Sequence, residues 1–116
     1  MTAIDLSDRL DQLEVFEERQ GVTLQGLSVH LEPDMTASRG WHVTVRGEVH
    51  ARDGDTIANP IRIIGALYDS DGRVVTSIDA RIEAATFFLL EPFELKDWYL
   101  PTADYSRVLV FPVAAS

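Results

Sequence analysis

The sequence predicts an all-β sandwich of about seven strands, preceded by a short amphipathic helix at the N-terminus. Several segments of strand length alternate between apolar and polar residues, which indicates strands with one buried and one wet face. Clusters of Gly, Pro, Asp and Ser separate the segments at the spacing typical of a sandwich. Long helical patterns between the strands are absent, which argues against a parallel βαβ sheet. The 116-residue chain suits one domain with a single core.

The chain is organised around a predicted hairpin within residues 59–83. Its first arm, Ile61–Tyr68, is apolar on both faces, so we expect a central strand that is covered on both sides. Its second arm, Arg73–Glu83, alternates cleanly, so we expect one buried and one wet face. Between the arms, Asp71 and Gly72 tolerate the positive φ that tight hairpin turns require.

Residues 1–21 are predicted to be an acidic arm that contains the helix, and residues 22–116 the sandwich. The helix is predicted over residues 4–20, where apolar residues recur at helical spacing: Leu6, Leu10, Leu13 and Phe16 or Glu17. Gly21 is suited to end it. A helix this short is marginal alone. It must therefore dock on its own sheet, on a sister subunit or on another protein; alternatively, the chain is already extended over residues 13–16.

Four further strands are predicted from alternation and residue type: Val22–Leu31, Trp41–Ala51, Phe93–Leu100 and Tyr105–Val113. We expect the first to bend or bulge at Gly26. In the second, the odd-numbered residues should face the core, and the even-numbered residues should form a polar stripe in which opposite charges pair across strands. Pro112 should mark the end of the last strand or a sheet edge.

The order of several motifs resembles a known family. One strand contains VRGEV (Val45–Val49), a polar loop follows, and the next strand ends in Leu67-Tyr68-Asp69 before a Gly-containing turn. A later Leu90-Glu91-Pro92 segment precedes a Phe-bearing strand. Over about residues 24–113 the chain is similar to FxLYD-type domains, small immunoglobulin-like β-sandwiches of bacteria and archaea, with Gly65 at the position of the name-giving Phe. The resemblance implies an interaction or accessory module, often extracytoplasmic, without general catalytic residues.

Composition excludes several classes of partner. The net charge is −9 and the pI about 4.6, which argues against binding to nucleic acid or to an anionic membrane surface. The sequence lacks an apolar run of membrane-spanning length, so we expect no membrane insertion. It begins without the pattern of a signal peptide, so we expect a cytoplasmic protein, or an extracytoplasmic one if a leader has been removed. Without Cys it has no disulfide, thiolate metal site or Cys nucleophile.

The three histidines are the candidates for metal or acid–base chemistry. His42 and His50 share one face of a strand but lie about 26 Å apart at standard strand rise. His30 approaches His42 if their strands pair antiparallel, and Glu32 would then be a third ligand. We expect no cofactor, since zinc requires more ligands than this arrangement readily supplies. We expect no catalytic residue either, because the serines lack a nucleophile-elbow motif and the paired carboxylates serve turns.

Residues 84–90 (AATFFLL) are apolar on both faces. A two-layer sandwich buries only one face of such a segment unless the helix or another subunit covers the other. We therefore expect a non-catalytic interaction or accessory module that self-associates or binds a protein partner. Its predicted surface comprises six residues: Phe87, Phe88, Leu89, Leu90, Leu10 and Leu13. The rival hypotheses are a small-ligand or metal-binding protein that uses the histidines, and an enzyme with a pocket between the sheets.

Overall fold

The computed structural model describes residues 3–33, 40–100 and 104–115, and the side chains of residues 97–99 are left out of the description. The elements follow in chain order: β1 (Ile4–Asp5), β2 (Leu10–Gln12), α1 (Glu14–Gln20), β3 (Val22–Pro33), β4 (Trp41–Ala51), β5 (Ile61–Tyr68), β6 (Val74–Ile82), β7 (Leu90–Leu100) and β8 (Arg107–Ala114). A 3₁₀ turn over Ser7–Arg9 links β1 to β2. Among all the residues that the structure describes, no helix is long and apolar enough to cross a membrane.

The strands form two sheets that pack face to face. The first sheet has the order β1-β3-β4-β7 and the second the order β2-β8-β5-β6. Neighbouring strands are antiparallel, with the exception of β2 and β8, which are parallel. Apolar side chains from both sheets fill the space between them. The prediction of an all-β sandwich with one short helix is confirmed.

The hairpin of β5 and β6 follows its predicted pattern. On β5, Ile61, Ile63 and Leu67 are fully buried in the core. On β6, exposure alternates along the strand from Thr76 to Ile82. The turn between them is fastened by the Asp69 carboxylate, which accepts the backbone N–H groups of Asp71 at 2.9 Å and Arg73 at 3.0 Å. These bonds satisfy backbone N–H groups that cannot bond to a neighbouring strand within the turn. They fix the conformation of the turn, and the turn thereby sets the register of the hairpin.

The pair of β3 and β4 also follows the prediction. Its register shifts between Gln25 and Ser28, so the predicted irregularity at Gly26 is a β-bulge. On β4 the side chains of Val43, Val45 and Val49 are fully buried. Gly47 lies in the same row, where a Cβ atom would come within 2.4 Å of Leu27 Cδ2 and 2.8 Å of Phe93 Cζ. Glycine is needed here because the Leu27 and Phe93 side chains already fill the space.

The prediction of one helix over residues 4–20 is wrong over its first part. Apart from the 3₁₀ turn at Ser7–Arg9, only Glu14–Gln20 is helical, and this α-helix ends at Gly21 as predicted. The preceding residues pair with distant strands instead: Ile4 lies opposite Leu31 on β3, and Leu10 lies opposite Val108 on β8. These pairings satisfy the backbone groups of a segment too short to hold a stable helix alone.

The N-terminal segment closes one side of the sandwich. Leu6 is only 3% exposed and donates its backbone N–H to the Val29 carbonyl at 2.9 Å. Helix α1 packs against β3 and β8, where the Phe16 ring meets Phe111 edge to face at a centroid distance of 5.3 Å. Of the predicted alternatives for this segment, docking on its own sheets is therefore the one observed in the isolated chain.

A buried carboxylate completes this closure. Glu17 is 3% exposed, and its Oε1 accepts the backbone N–H of Leu24 at 3.0 Å. Gln12 Nε2 donates to the Leu24 carbonyl at 3.0 Å and to Glu17 Oε2 at 3.1 Å. At Leu24, β1 no longer pairs with the edge of β3. The two side chains therefore make the hydrogen bonds to the β3 backbone that a neighbouring strand would otherwise make.

Candidate interaction surface

Three consecutive large apolar side chains project from the sandwich where β7 begins. Phe88, Leu89 and Leu90, which we call the apolar tip, are 63%, 53% and 43% exposed. The tip lies at the end of the molecule that also carries the β4–β5 connection, since Leu90 pairs with His50 near the end of β4. Helix α1 lies against β3 and β8, so it does not perform the covering role that was one alternative for this segment.

The inclusion of Phe87 in the predicted surface is wrong. Phe87 is 4% exposed and belongs to the core. A turn in which the Phe87 backbone N–H donates to the Ala84 carbonyl at 3.4 Å directs this ring inward. The adjacent Phe88 ring is 63% exposed. Phe87 therefore anchors the segment, and the exposed surface starts one residue later.

The backbone of the tip is strained. Leu89 has φ 64°, a left-handed conformation that a branched side chain rarely adopts. Leu90 N–H donates to the Phe88 carbonyl at 2.7 Å, which closes a γ-turn of the uncommon positive-φ kind around Leu89. The conformation is held from outside the turn, because Leu89 N–H donates to the Asp55 carbonyl at 2.7 Å and its carbonyl accepts the Ala51 N–H at 3.1 Å. Strain of this kind is concentrated at binding and active sites.

We expect Leu89→Gly to raise the stability of the protein relative to Leu89→Ala by about 1 kcal/mol. Both substitutions remove the exposed side chain, but only glycine adopts the positive φ without a steric penalty. Urea unfolding of the two variants measures the difference. An alanine variant that is the more stable of the two would mean that the residue is not held in the left-handed region.

The structure does not bring Leu10 and Leu13 to the tip. Leu10 is half-buried on β2, and Leu13 is a half-buried residue that precedes helix α1. β2 lies against β3, whereas β6 lies against β7, so the two groups occupy opposite sides of the sandwich. Of the six predicted surface residues, Phe88, Leu89 and Leu90 therefore form one exposed patch, while Leu10 and Leu13 belong to the closing segment.

The exposed face of the first sheet carries the predicted polar stripe. Arg46 Nε donates to Glu94 Oε2 at 2.9 Å, and Lys96 Nζ lies 3.3 Å from Glu94 Oε1. Hydrogen bonds from Arg46 and then from Lys96 lower the pKa of the Glu94 carboxyl below its usual value. The Arg46–Glu94 pair joins the neighbouring strands β4 and β7, as expected from the alternation of β4, whereas Lys96 pairs with Glu94 within β7.

The histidines lie on the same polar face. β3 and β4 are antiparallel, with His30 opposite Thr44 and His42 opposite Glu32, so the predicted approach of His30 to His42 is a diagonal one. His30 Nε2 lies 3.9 Å from Asp5 Oδ2, and His50 Nε2 lies 3.1 Å from Glu48 Oε1. Within residues 3–33, 40–100 and 104–115, no group of three His, Asp or Glu side chains is arranged to hold a metal ion.

Glu17 is the buried carboxylate that sequence reasoning did not select as a functional residue. It lines a cleft of about 390 Å³ together with Gln12, Glu14 and Arg52. Its two oxygens are already engaged by Leu24 N–H and Gln12 Nε2, so the contacts favour a structural role. One feature of the sequence does indicate this role: Glu17 lies in the apolar stripe of the predicted helix, and a charged residue that is buried there needs hydrogen-bonding partners.

Comparison of the chain with protein-family models, with curated proteins and with solved structures gives no significant match.

Proposed function

We propose that this chain is a non-catalytic protein-interaction module that self-associates through the apolar tip. The observation that carries the proposal is the exposure of Phe88, Leu89 and Leu90 as one patch. Burial of a Leu or Phe side chain contributes about 1.5–3 kcal/mol, so a contact that covers these residues has a substantial driving force. Single exposed apolar residues are ordinary on protein surfaces, but contiguous ones indicate contact sites.

The strained backbone supports the same proposal. The γ-turn at Leu89 presents its neighbours outward, and the hydrogen bonds to Asp55 and Ala51 hold the turn in place. A preformed tip loses less conformational freedom on binding than a flexible loop does. The sandwich therefore serves as the rigid support from which the tip is presented.

We further propose that the sandwich is immunoglobulin-like. β3, β4 and β7 match the order A-B-E of one immunoglobulin sheet, and β8, β5 and β6 match the order F-C-C′ of the other. Tyr105 supports this assignment, because it is fully buried immediately before β8, where such folds place a tyrosine at the start of strand F. The resemblance to FxLYD-type domains is in keeping with this proposal, and loops at the ends of such sandwiches commonly carry the binding function.

Phe88→Asp is expected to lower the solution mass of the protein without changing its fold. The substitution places a charge in the proposed contact, and the Phe88 side chain contributes little to the core because it is 63% exposed. We expect the midpoint of dissociation to rise at least tenfold in concentration, which corresponds to about 1.4 kcal/mol. Light scattering over a dilution series measures the mass, and circular dichroism checks the fold.

Val15→Asp is the matched control for this experiment. Val15 is 62% exposed, but it lies on helix α1, which packs against β3 and β8. We expect its mass profile to match that of the unchanged protein. A mass that responds to Val15→Asp and not to Phe88→Asp would move the contact to the helix. A protein that is monomeric at every concentration before substitution would overturn self-association.

A further inference from the structure

The outer faces of the two sheets differ in chemistry. On the first sheet, the register places Ser28 opposite Arg46 and Arg46 opposite Glu94, in a row that points away from the core. Polar rows of this kind are the usual outer surface of a sandwich. The second sheet departs from this pattern.

The outer face of the second sheet is largely apolar along β5 and β8. On β5, Ile63 and Leu67 belong to the core, so the alternate residues Ile64, Ala66 and Tyr68 point outward. The register defines four outward rows that cross the face from β6 through β5 to β8. They are Arg81, Arg62 and Val113; then Asp79, Ile64 and Phe111; then Ser77, Ala66 and Leu109; and last Val74, Tyr68 and Arg107.

This face is incompletely covered by its own chain. Val74 is 58% exposed, and Ile64 and Tyr68 are half-buried because neighbours on the same face shield their flanks. Helix α1 packs against β3 and β8 and borders the face there, where Phe16 contacts Phe111. Removing the remaining apolar area from water is worth about 25 cal/mol per Å², so a further layer over β5 is favourable.

The charge of this face is suited to a second copy of the chain. The net charge of −9 opposes contact between copies in general. The charged side chains of these rows balance one another, however, because they form three ion pairs: Arg62 with Asp79 at 3.0 Å, Arg107 with Asp11 at 2.9 Å, and Arg81 with Glu83. Two such faces approach without net repulsion, whereas a basic partner finds no surplus of acidic groups here.

We infer that two copies of this chain pack the outer faces of their second sheets against each other. The two-fold axis crosses β5 between Ile64 and Ala66, at right angles to the strand. Facing sheets pack about 10 Å apart with their strand axes within about 30° of each other. Each copy contributes the same face, as a closed symmetric dimer requires. The contact is distinct from the apolar tip, which precedes β7 of the first sheet.

The side chains of the four rows favour this direction of the axis. It sets the second row of one copy over the third row of the other, so Ile64 faces Ala66 and a large side chain meets a small one. It also sets the first row over the fourth, so the Arg62 guanidinium faces the Tyr68 ring, which is a favourable cation–π arrangement. An axis along the strands would instead set each row over itself, with Arg62 against Arg62. Like charges that face each other across a contact are destabilising.

Ile64→Glu tests the contact, because it places a carboxylate at the centre of the face. We expect the midpoint of dissociation of this contact to rise at least tenfold in concentration, since the new charge is buried there without a partner. Light scattering over a dilution series measures the mass, and circular dichroism checks the fold. Ser28→Glu is the control, because it adds the same charge opposite Arg46 on the outer face of the first sheet.

Combination with Phe88→Asp separates this contact from the tip. Two different two-fold contacts on one chain build assemblies larger than a dimer. We therefore expect Ile64→Glu to leave a dimer held by the tip, Phe88→Asp to leave a dimer held by the sheet face, and the variant with both changes to be a monomer. A folded Ile64→Glu variant with the mass profile of the unchanged protein would overturn the sheet contact, and the effect of Phe88→Asp would still decide the tip.

Val74 supplies a second test that does not depend on the half-buried Ile64. In the inferred dimer, Val74 of each copy faces Arg81 of the other, and its exposure leaves the fold insensitive to substitution. We expect Val74→Arg to weaken the contact about tenfold by opposing like charges, and Val74→Glu to leave it as strong or stronger. Net charge alone predicts the reverse, because arginine lowers the negative charge of the chain and glutamate raises it. Equal effects of the two variants, or a larger loss with Val74→Glu, would overturn the arrangement.

Discussion

Leu6→Ala is expected to lower the free energy of unfolding by about 3 kcal/mol. Leu6 is 3% exposed and packs in the core as part of the segment that closes one side of the sandwich. Its removal leaves a cavity and also frees residues whose pairing with β3 and β8 depends on this anchor. Urea unfolding followed by tryptophan fluorescence measures the loss.

Leu10→Ala is the matched control, because Leu10 lies in the same segment but is half-buried. We expect a loss of less than half that of Leu6→Ala, since less apolar area leaves water on folding of the unchanged protein. Equal losses in the two variants would mean that Leu6 has no special role as the anchor.

Glu17→Ala is expected to lower the free energy of unfolding by about 2–3 kcal/mol. The substitution removes the acceptor of Leu24 N–H and one partner of Gln12 Nε2. A backbone donor that is buried without an acceptor retains its full desolvation penalty. Urea unfolding of the variant measures this loss.

Glu18→Ala controls for the change in helix charge, because Glu18 is the exposed neighbour of Glu17. We expect it to change stability by less than about 0.5 kcal/mol. Glu17→Gln should be milder than Glu17→Ala, because an amide oxygen still accepts the Leu24 N–H. If Glu17→Ala and Glu18→Ala behaved alike, the proposed role of Glu17 at the edge of β3 would be wrong.

The strands that could be predicted from the sequence are those whose evidence is local. β4 and β5 begin and end at the predicted residues, because alternation or continuous apolar character extends along their whole length. The bulge at Gly26 was also predictable, since the apolar side changes there and glycine interrupts the strand. In these elements the local pattern and the tertiary packing favour the same conformation.

The N-terminal segment could not be predicted in the same way. The spacing of Leu6, Leu10 and Leu13 fits a helix, but the conformation of this segment is decided by partners that lie far away in sequence. Leu10 pairs with Val108, and no local pattern contains that information. Tertiary pairing therefore overrides helical periodicity until the helix begins at Glu14.

The candidate surface was predictable in composition but not in detail. The apolar run at residues 84–90 indicated surplus hydrophobic surface, and three of its large apolar side chains are exposed. Which of Phe87 and Phe88 enters the core depends on a turn whose hydrogen bond to Ala84 is not encoded in any periodic pattern. The positive φ of Leu89 was equally hidden, because leucine gives no signal for it.

The pairing of β2 with β8 has a consequence for biosynthesis. Residues 10–12 cannot pair until residues 108–110 have been synthesised. At a translation rate of about 5–20 residues per second, residues 108–110 are made roughly 5–20 seconds after residues 10–12. During this interval Leu6 and Phe16 have no complete docking site. The segment is rich in acidic residues, whose mutual repulsion keeps an unpaired chain soluble. The completion of the sandwich is therefore a late step that joins residues 10–12 to residues 108–110.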